Sequence, residues 1–447
     1  MRERYERPTI VKHVSGLANK FGRAKAANHQ PDIDGIRVAD LAEEYGSPLF
    51  VFSERSIRHM YKDALRSFEV RYPNVQFAWS YKTNYLDAVC KVFHSEGTWA
   101  EVVSEHEYEM ARRLGIPGES VIFNGPFKSA DALERAAREN AKIHLDHHEE
   151  IRALEAVADR LGKTIDVGLR LNMDTGIVPS WDRFGFNFDN GEAWHAARRI
   201  QVGSKLRLNA VHAHIGTFVL EPSAYNVQAG KLATFAKRVE SELGFKIDYI
   251  DLGGGFPSKN TLQGQYYPGE TSNPSIDTYA EAATSALLDA GLDKDDPPTL
   301  VLETGRALVD EAGYLVTSVV GQKRLPSDLR ALIVDAGVNI LLTAFWYNHE
   351  ILPVQDHGGL MEETIVYGPL CMNIDVVRSS VYLPVMETGD LLVIRPVGAY
   401  NVTQWMQFIR MRPPVVMIGE DGKVETIRLP ETVETLKELE RIPSWMK

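Results

Sequence analysis

The sequence predicts an α/β protein, a (β/α)8 barrel followed by a mostly-β domain. Up to residue 303, short apolar runs alternate with amphipathic stretches, a strand-then-helix rhythm sustained for about 250 residues, the usual barrel length. After Arg306 the helical stretches thin out and strand-like runs dominate. A lysine, Lys82, stands where the early apolar run 77–79 (FAW) gives way to Thr83 and Asn84. That is the end of a barrel strand, the face where reacting groups collect.

Taken in order, residues 1–33 are polar and basic without a clear period. Residues 37–45 (RVADLAEEY) have helical spacing and are stopped by Gly46 and Ser47-Pro48. Residues 49–52 read as a strand and 54–70 as an amphipathic helix with Ile57, Met60, Leu65 and Phe68 inward. Beyond the Lys82 strand, helices are expected at 88–93, 106–114, 129–140, 149–161, 193–200, 222–243 and 276–290. Strands are expected at 121–123, 143–145, 167–171, 208–214, 249–252 and 299–303. Later strands are expected at 314–324, 331–335, 363–366, 391–397 and 415–418. The resulting domains are 1–46, a segment packing on the β domain; 47–307, the barrel; and 308–447, the β domain.

The formal net charge of −12 argues against nucleic acid or an anionic membrane as a general partner, since both require positive surface. The two cysteines, Cys90 and Cys371, make neither a disulfide framework nor a zinc cluster, which fits a reducing cytoplasm. No apolar run has the length of a membrane span, and the first residues lack the apolar core of a signal peptide.

Several groups could do chemistry. Lys82, partly desolvated at a strand end, could hold a carbonyl cofactor as a Schiff base; taken alone, it reads rather as a surface lysine with its stem along apolar atoms, and it gains weight only from its partners further along. His212 and His214 point to one side of a strand, and His214, nearer the strand end, is the better active-site candidate. A random pair of this kind is most often core histidine, and no further ligand completes a metal signature. Gly253, Gly254 and Gly255 follow a strand and leave room for a phosphate, although the spacing is not the dinucleotide fingerprint. Glu303 closes another strand, where a carboxylate can partner a pyridine nitrogen, and Arg306 can clamp a phosphate. Cys371 lies beyond a Gly-Pro turn, placed to act as an acid, and Tyr400 offers a hydroxyl. Each signal is weak alone; their order and joint presence carry the reading.

That order resembles the fold-type III pyridoxal-phosphate (PLP) decarboxylases, the diaminopimelate, ornithine and arginine decarboxylase group with its alanine racemase-like barrel. The matching stretches are SYKTN, VVSEHE, RFGF, HAHIGT, DLGGGFP, ETGR, VDAGVN, GPLCMNID and GAYN, and the layout looks most like the diaminopimelate branch. The resemblance implies that Lys82 carries PLP, His214 stacks on its ring and Glu303 pairs with the ring nitrogen. It implies a phosphate held by Gly253, Gly254, Gly255 and Thr217 with Gly305, Arg306 and Tyr400, and an acidic residue, Glu101, near the lysine. It further implies a homodimer with shared sites, in which Cys371 reaches the neighbouring site as a proton donor, and Asp375 matches a substrate-side acid of the ornithine branch.

The departures bear on substrate. Met372 stands where diaminopimelate decarboxylases carry a glutamate for the distal amino group. Their arginine for a distal carboxylate falls near Thr343, in the stretch 341–347 that ends at Tyr347. With Met372 and Asp375, Thr343 and Tyr347 are the substrate-side candidates. The expectation is a PLP-dependent carboxy-lyase acting on an amino acid or conjugate other than diaminopimelate, in a siderophore, polyamine or natural-product pathway. The rivals are an amino-acid racemase on the same barrel and a non-catalytic PLP-binding regulatory homologue.

Overall fold

The computed structural model describes residues 29–292, 295–358 and 360–446, in two compact units. Ile57–Lys259 and Thr271–Val309 form the first; residues 29–56, Asn260–Glu270 and 310–446 form the second.

The first unit is a closed parallel barrel. Its strands are β1 (Val75–Ser80), β2 (Trp99–Val102), β3 (Val121–Phe123), β4 (Lys142–Leu145), β5 (Ile165–Asn172), β6 (Leu206–Ala213), β7 (Tyr249–Asp251) and β8 (Thr299–Leu302). Each pairs in parallel with the next, and β8 returns to β1 through Val301 opposite Gln76. Alternation along each strand sorts the side chains. On β1, Phe77 and Trp79 face outward, where Trp79 stacks on Phe93 with centroids 3.7 Å apart. Ala78 faces inward and packs with Ile122, Ala210, Tyr249 and Val301 into an apolar plug. One inward step toward the strand ends, the residues become polar: Ser80, Glu101, Asn124, His144, His212, Asp251 and Glu303, all buried. The barrel interior is therefore a dry floor under a polar layer.

Capping fixes where several helices begin. Ser104 Oγ accepts the Glu107 N–H at the start of Glu105–Arg113, and Ser129 Oγ accepts the Ala132 N–H at the start of Ala130–Arg138. Gly162, left-handed at φ 62°, ends His148–Leu161. Among the described residues no helix is long and apolar enough to cross a membrane.

The second unit is built on the long strand Gly313–Arg324, which pairs with Arg330–Val334, Leu391–Arg395 and Leu49–Ser53. Leu49–Ser53 also pairs in parallel with Val415–Ile418. The sequence reading placed residue 47 onward in the barrel. The strand Leu49–Ser53 belongs instead to this second sheet, because its five buried residues meet partners on both edges there. The described part of the N-terminal segment packs on the same sheet: Ile33, Val38 and Leu41 share a core with Val316, Val393 and Val416. Residues 1–28 lie outside the described residues. Among strands of four or more residues, four escape the sequence reading: Trp99–Val102 in the barrel, and Glu350–Pro353, Val376–Leu383 and Val424–Arg428 here.

One buried carboxylate gives the barrel unit a pH signature. Burial, the largest influence, raises Glu107 from 4.5 to about 7, although its Oε2 accepts the Val103 N–H at 2.8 Å. A carboxyl raised on folding contributes stability that is complete below pH 4.5 and is lost as pH rises through about 7. Glu107→Gln keeps the acceptor and removes the titration. Thermal unfolding of the native protein should therefore lose on the order of 2–3 kcal/mol between pH 5 and 8.5 relative to Glu107→Gln. Parallel pH profiles for the two proteins would refute this role.

Candidate active site

Lys82 lies two residues beyond the end of β1, and its side chain is about one-third exposed. Its Nζ donates to Glu101 Oε2 at 2.6 Å, and Glu101, at 1 % exposure, also accepts from Ser80 Oγ. Glu303 follows the last residue of β8 and is 5 % exposed. The two carboxylates are bridged by Asn124, which follows β3. Its Nδ2 donates to Glu101 Oε1 at 3.1 Å and to Glu303 Oε1. Unpaired, two buried carboxylates side by side would be costly.

The polar layer continues around Glu303. Asp251 is hydrogen-bonded to it; burial first, then the Glu303 charge, push the Asp251 carboxyl well above the ordinary range. His212 Nε2 lies 3.3 Å from Glu303 Oε2, and burial holds the His212 ring neutral. The His144 ring lies against that of His212 with centroids 4.8 Å apart. Atoms of His144, His212, Asp251 and Glu303 that could ligate a metal lie within 4.8 Å of one another. With Glu303 bonded to Asn124 and Asp251, the cluster reads as a hydrogen-bonded network.

His214, the residue just beyond β6, is pulled down to about 3, first by burial and then by the Lys82 charge, so its imidazole is neutral. Its Nδ1 accepts the Gly254 N–H at 3.0 Å, which places the ring proton on Nε2. The edge of Trp181 approaches this ring, with centroids 5.4 Å apart.

The glycine loop after β7 lies flat against its neighbours. A side chain on Gly254 would strike the Glu303 carbonyl, and one on Gly253 would fall 2.8 Å from His214 Nδ1. The Gly253 N–H is held by Asp251 Oδ1 at 2.8 Å, and the Gly254 N–H by His214. These two glycines therefore shape a cradle by leaving room, not by donating their amides. Gly255 is left-handed at φ 95°. A side chain on Gly305 would come within 2.8 Å of Thr83 Cβ, so the loop after β8 presses on the one carrying Lys82. Arg306 opens a short helix with its guanidinium 5.5 Å from the Phe218 ring, and Thr217 is exposed beside it in sequence.

The remaining expected residues lie in the second unit. Cys371 is exposed and Met372 half-buried, on the loop between Glu362–Tyr367 and Val376–Leu383. Tyr400 is half-buried with φ 63°. Three substrate-side candidates are buried within the second unit. Asp375 is buried with its carboxylate accepting the Val338 and Leu370 N–H groups at 2.8 and 2.7 Å, so it closes its own loop. Thr343, 1 % exposed, has its hydroxyl bonded to His349 and Asn401, both at 2.8 Å. Tyr347 is also buried, at 4 % exposure. Asn124, at the start of an Asn-Gly-Pro turn signal, and His144, inside an otherwise apolar strand, carry no sequence signal of a site; only the barrel register puts them beside Glu101 and Glu303.

These residues fit PLP. The side-chain-free cradle at Gly253–Gly255 suits a phosphate, the Glu101-bonded amine of Lys82 suits an aldehyde, and the buried Glu303 suits a protonated ring nitrogen. Comparisons with known proteins agree. Residues 55–310 match the family model described as pyridoxal-dependent decarboxylase, pyridoxal binding domain. The diaminopimelate decarboxylase of Aquifex aeolicus is 26 % identical over 416 residues, covering 91 % of this chain and 94 % of the relative. That of Methanocaldococcus jannaschii is 29 % identical over 429 residues, covering 92 % and 95 %. A crystal structure of diaminopimelate decarboxylase from M. jannaschii superimposes with a TM-score of 0.86 at 28 % identity, covering 93 % of this chain and 97 % of the other. The family match and the fitted polar layer together lead to one conclusion: the chain belongs to the pyridoxal-dependent decarboxylases and is a PLP-dependent amino-acid carboxy-lyase.

Proposed function

We propose that this decarboxylase acts on an amino acid or amino-acid conjugate other than diaminopimelate, in a specialised pathway, as a cytoplasmic homodimer with shared sites. The observation that carries the substrate reading is Met372: a thioether cannot pair with a distal ammonium. Thr343 supports it, since its hydroxyl is engaged by His349 and Asn401 and cannot meet a distal carboxylate.

Bound on a lysine, PLP supplies an electron sink for the pair left when the carboxylate departs as CO2. The chain's own groups do the rest. Glu101 Oε2, 2.6 Å from Lys82 Nζ, can take the proton the amine must lose before it reacts. Glu303 holds a proton at the ring nitrogen with one carboxylate oxygen while Asn124 occupies the other. His214, neutral and fixed by Gly254, presents its flat ring without adding positive charge. Cys371 Sγ, exposed on its loop, gives the α-carbon its proton, and the net reaction exchanges carboxylate for hydrogen.

Two experiments test this. In a panel of amino acids, diaminopimelate should be a poor substrate, and Met372→Glu should raise its turnover at least about tenfold, the worth of one charged pair. Diaminopimelate as the fastest substrate of the unmodified protein would end the substrate proposal. For the shared site, Cys371→Ala should slow turnover by roughly 10²–10⁴. Mixing it with Lys82→Ala should then restore about a quarter of full activity, because half the dimers are mixed and each carries one intact site. No recovery in mixed dimers verified by mass would place Cys371 outside the partner's site.

A further inference from the structure

A chain of three buried side chains runs from the apolar floor of the barrel to the two carboxylates. Tyr249, on β7, places its hydroxyl 2.9 Å from His144 Nε2. His144 Nδ1, on β4, lies 2.8 Å from Asn124 Oδ1. Asn124 Nδ2 reaches Glu101 and Glu303. The directions are forced from both ends. Burial holds the Tyr249 phenol protonated, so it donates, and burial keeps His144 neutral, so Nε2 accepts and Nδ1 carries the proton. The amide oxygen of Asn124 must then face His144, and both its N–H groups must face the carboxylates. Turned over, the amide would set its oxygen against two carboxylates and its N–H groups against the Nδ1 proton.

The barrel also reserves space for this imidazole. Gly168, on the inner face of β5, has no side chain where one would fall on the His144 ring, 2.9 Å from Nε2 and closer still to Cδ2. Its backbone is ordinary β-strand, so the glycine meets no left-handed requirement here.

We propose that Tyr249, His144 and Asn124 are a positioning chain that fixes one amide orientation and so holds Glu101 and Glu303 as hydrogen-bond acceptors toward Lys82 and the PLP ring nitrogen. None of the three touches the reacting atoms in this account; Asn124 acts through the carboxylates, and His144 and Tyr249 act through Asn124. The inference rests on the assignment of Glu303 to the ring nitrogen.

The test is made on the full chain, stripped of PLP and titrated with it, reading the PLP dissociation constant and the ratio of the visible absorption bands of bound PLP. His144→Leu fills the space and removes the donor to Asn124. Gly168→Ala displaces the ring without altering a polar group. Both should weaken PLP binding about tenfold to a hundredfold, the cost of losing hydrogen bonds to a charged group, and shift the band ratio in the direction given by Glu303→Gln. His144→Gln keeps an N–H within reach of Asn124 Oδ1 and should return both readouts to within about threefold of the unmodified protein. A packing role predicts the opposite order, with Leu tolerated better than Gln. Native PLP affinity and band ratio in His144→Leu, or His144→Gln no better than His144→Leu, overturns the chain while leaving the Glu303 assignment standing. An unchanged spectrum in Glu303→Gln removes that assignment and this inference with it.

Discussion

Two carboxylates buried side by side constrain the rest of the barrel. Glu101 and Glu303 are both nearly inaccessible, and each must remain available at the strand ends. A buried anion is tolerated only where donors surround it. Lys82, Ser80 and Asn124 donate to Glu101, and Asn124 donates to Glu303, with Asp251 and His212 packed beside it. The inner positions of β1, β3, β6 and β7 at this level are thereby assigned. The apolar plug one layer below closes the site to water from beneath, which strengthens each of these contacts.

The same constraint explains the loops. The Glu303 N–H bonds to the Gly253 carbonyl at 2.8 Å, and Gly254 lies where any side chain would strike the Glu303 carbonyl. The glycine loop is thus held to β8 by Glu303, the residue whose carboxylate we propose for the ring nitrogen. Tyr225 and Gln228, on the helix Ser223–Leu243, tie it down from the other side: Tyr225 donates to the Gly254 carbonyl, and Gln228 to the Ala213 and Leu252 carbonyls. Phosphate cradle, histidine and carboxylate form one mechanical unit.

Much of this was legible in the sequence because local signals and tertiary structure agree. Most barrel strands and helices fall within a few residues of their expected bounds, since each pairs an apolar run with an amphipathic one; the strand Trp99–Val102, whose apolar run is broken by Glu101, was not anticipated. Lys82, Glu303 and the three glycines were legible as strand-end residues. Asn124 was not, because Asn-Gly-Pro is a turn signal whatever the asparagine's side chain meets. His144, flanked by Ile143 and Leu145, reads as one polar residue in a buried strand, and only closure of the barrel brings it to Asn124. Leu49–Ser53 has a strand's composition, but its partners lie hundreds of residues away in sequence. The missed strand Glu350–Pro353 ends in proline and, among the described residues, pairs with Leu391–Arg395 alone. On the substrate side, motif spacing located Asp375 and Thr343 but carried no information on orientation, and both face inward.

The most direct measurement is mass spectrometry of the products formed from an amino-acid panel by the PLP-loaded protein in D2O. The account predicts loss of the carboxylate with a single deuterium gained at the α-carbon. Deuterium at the α-carbon with the carboxylate retained would contradict it, showing that the polar layer serves racemisation.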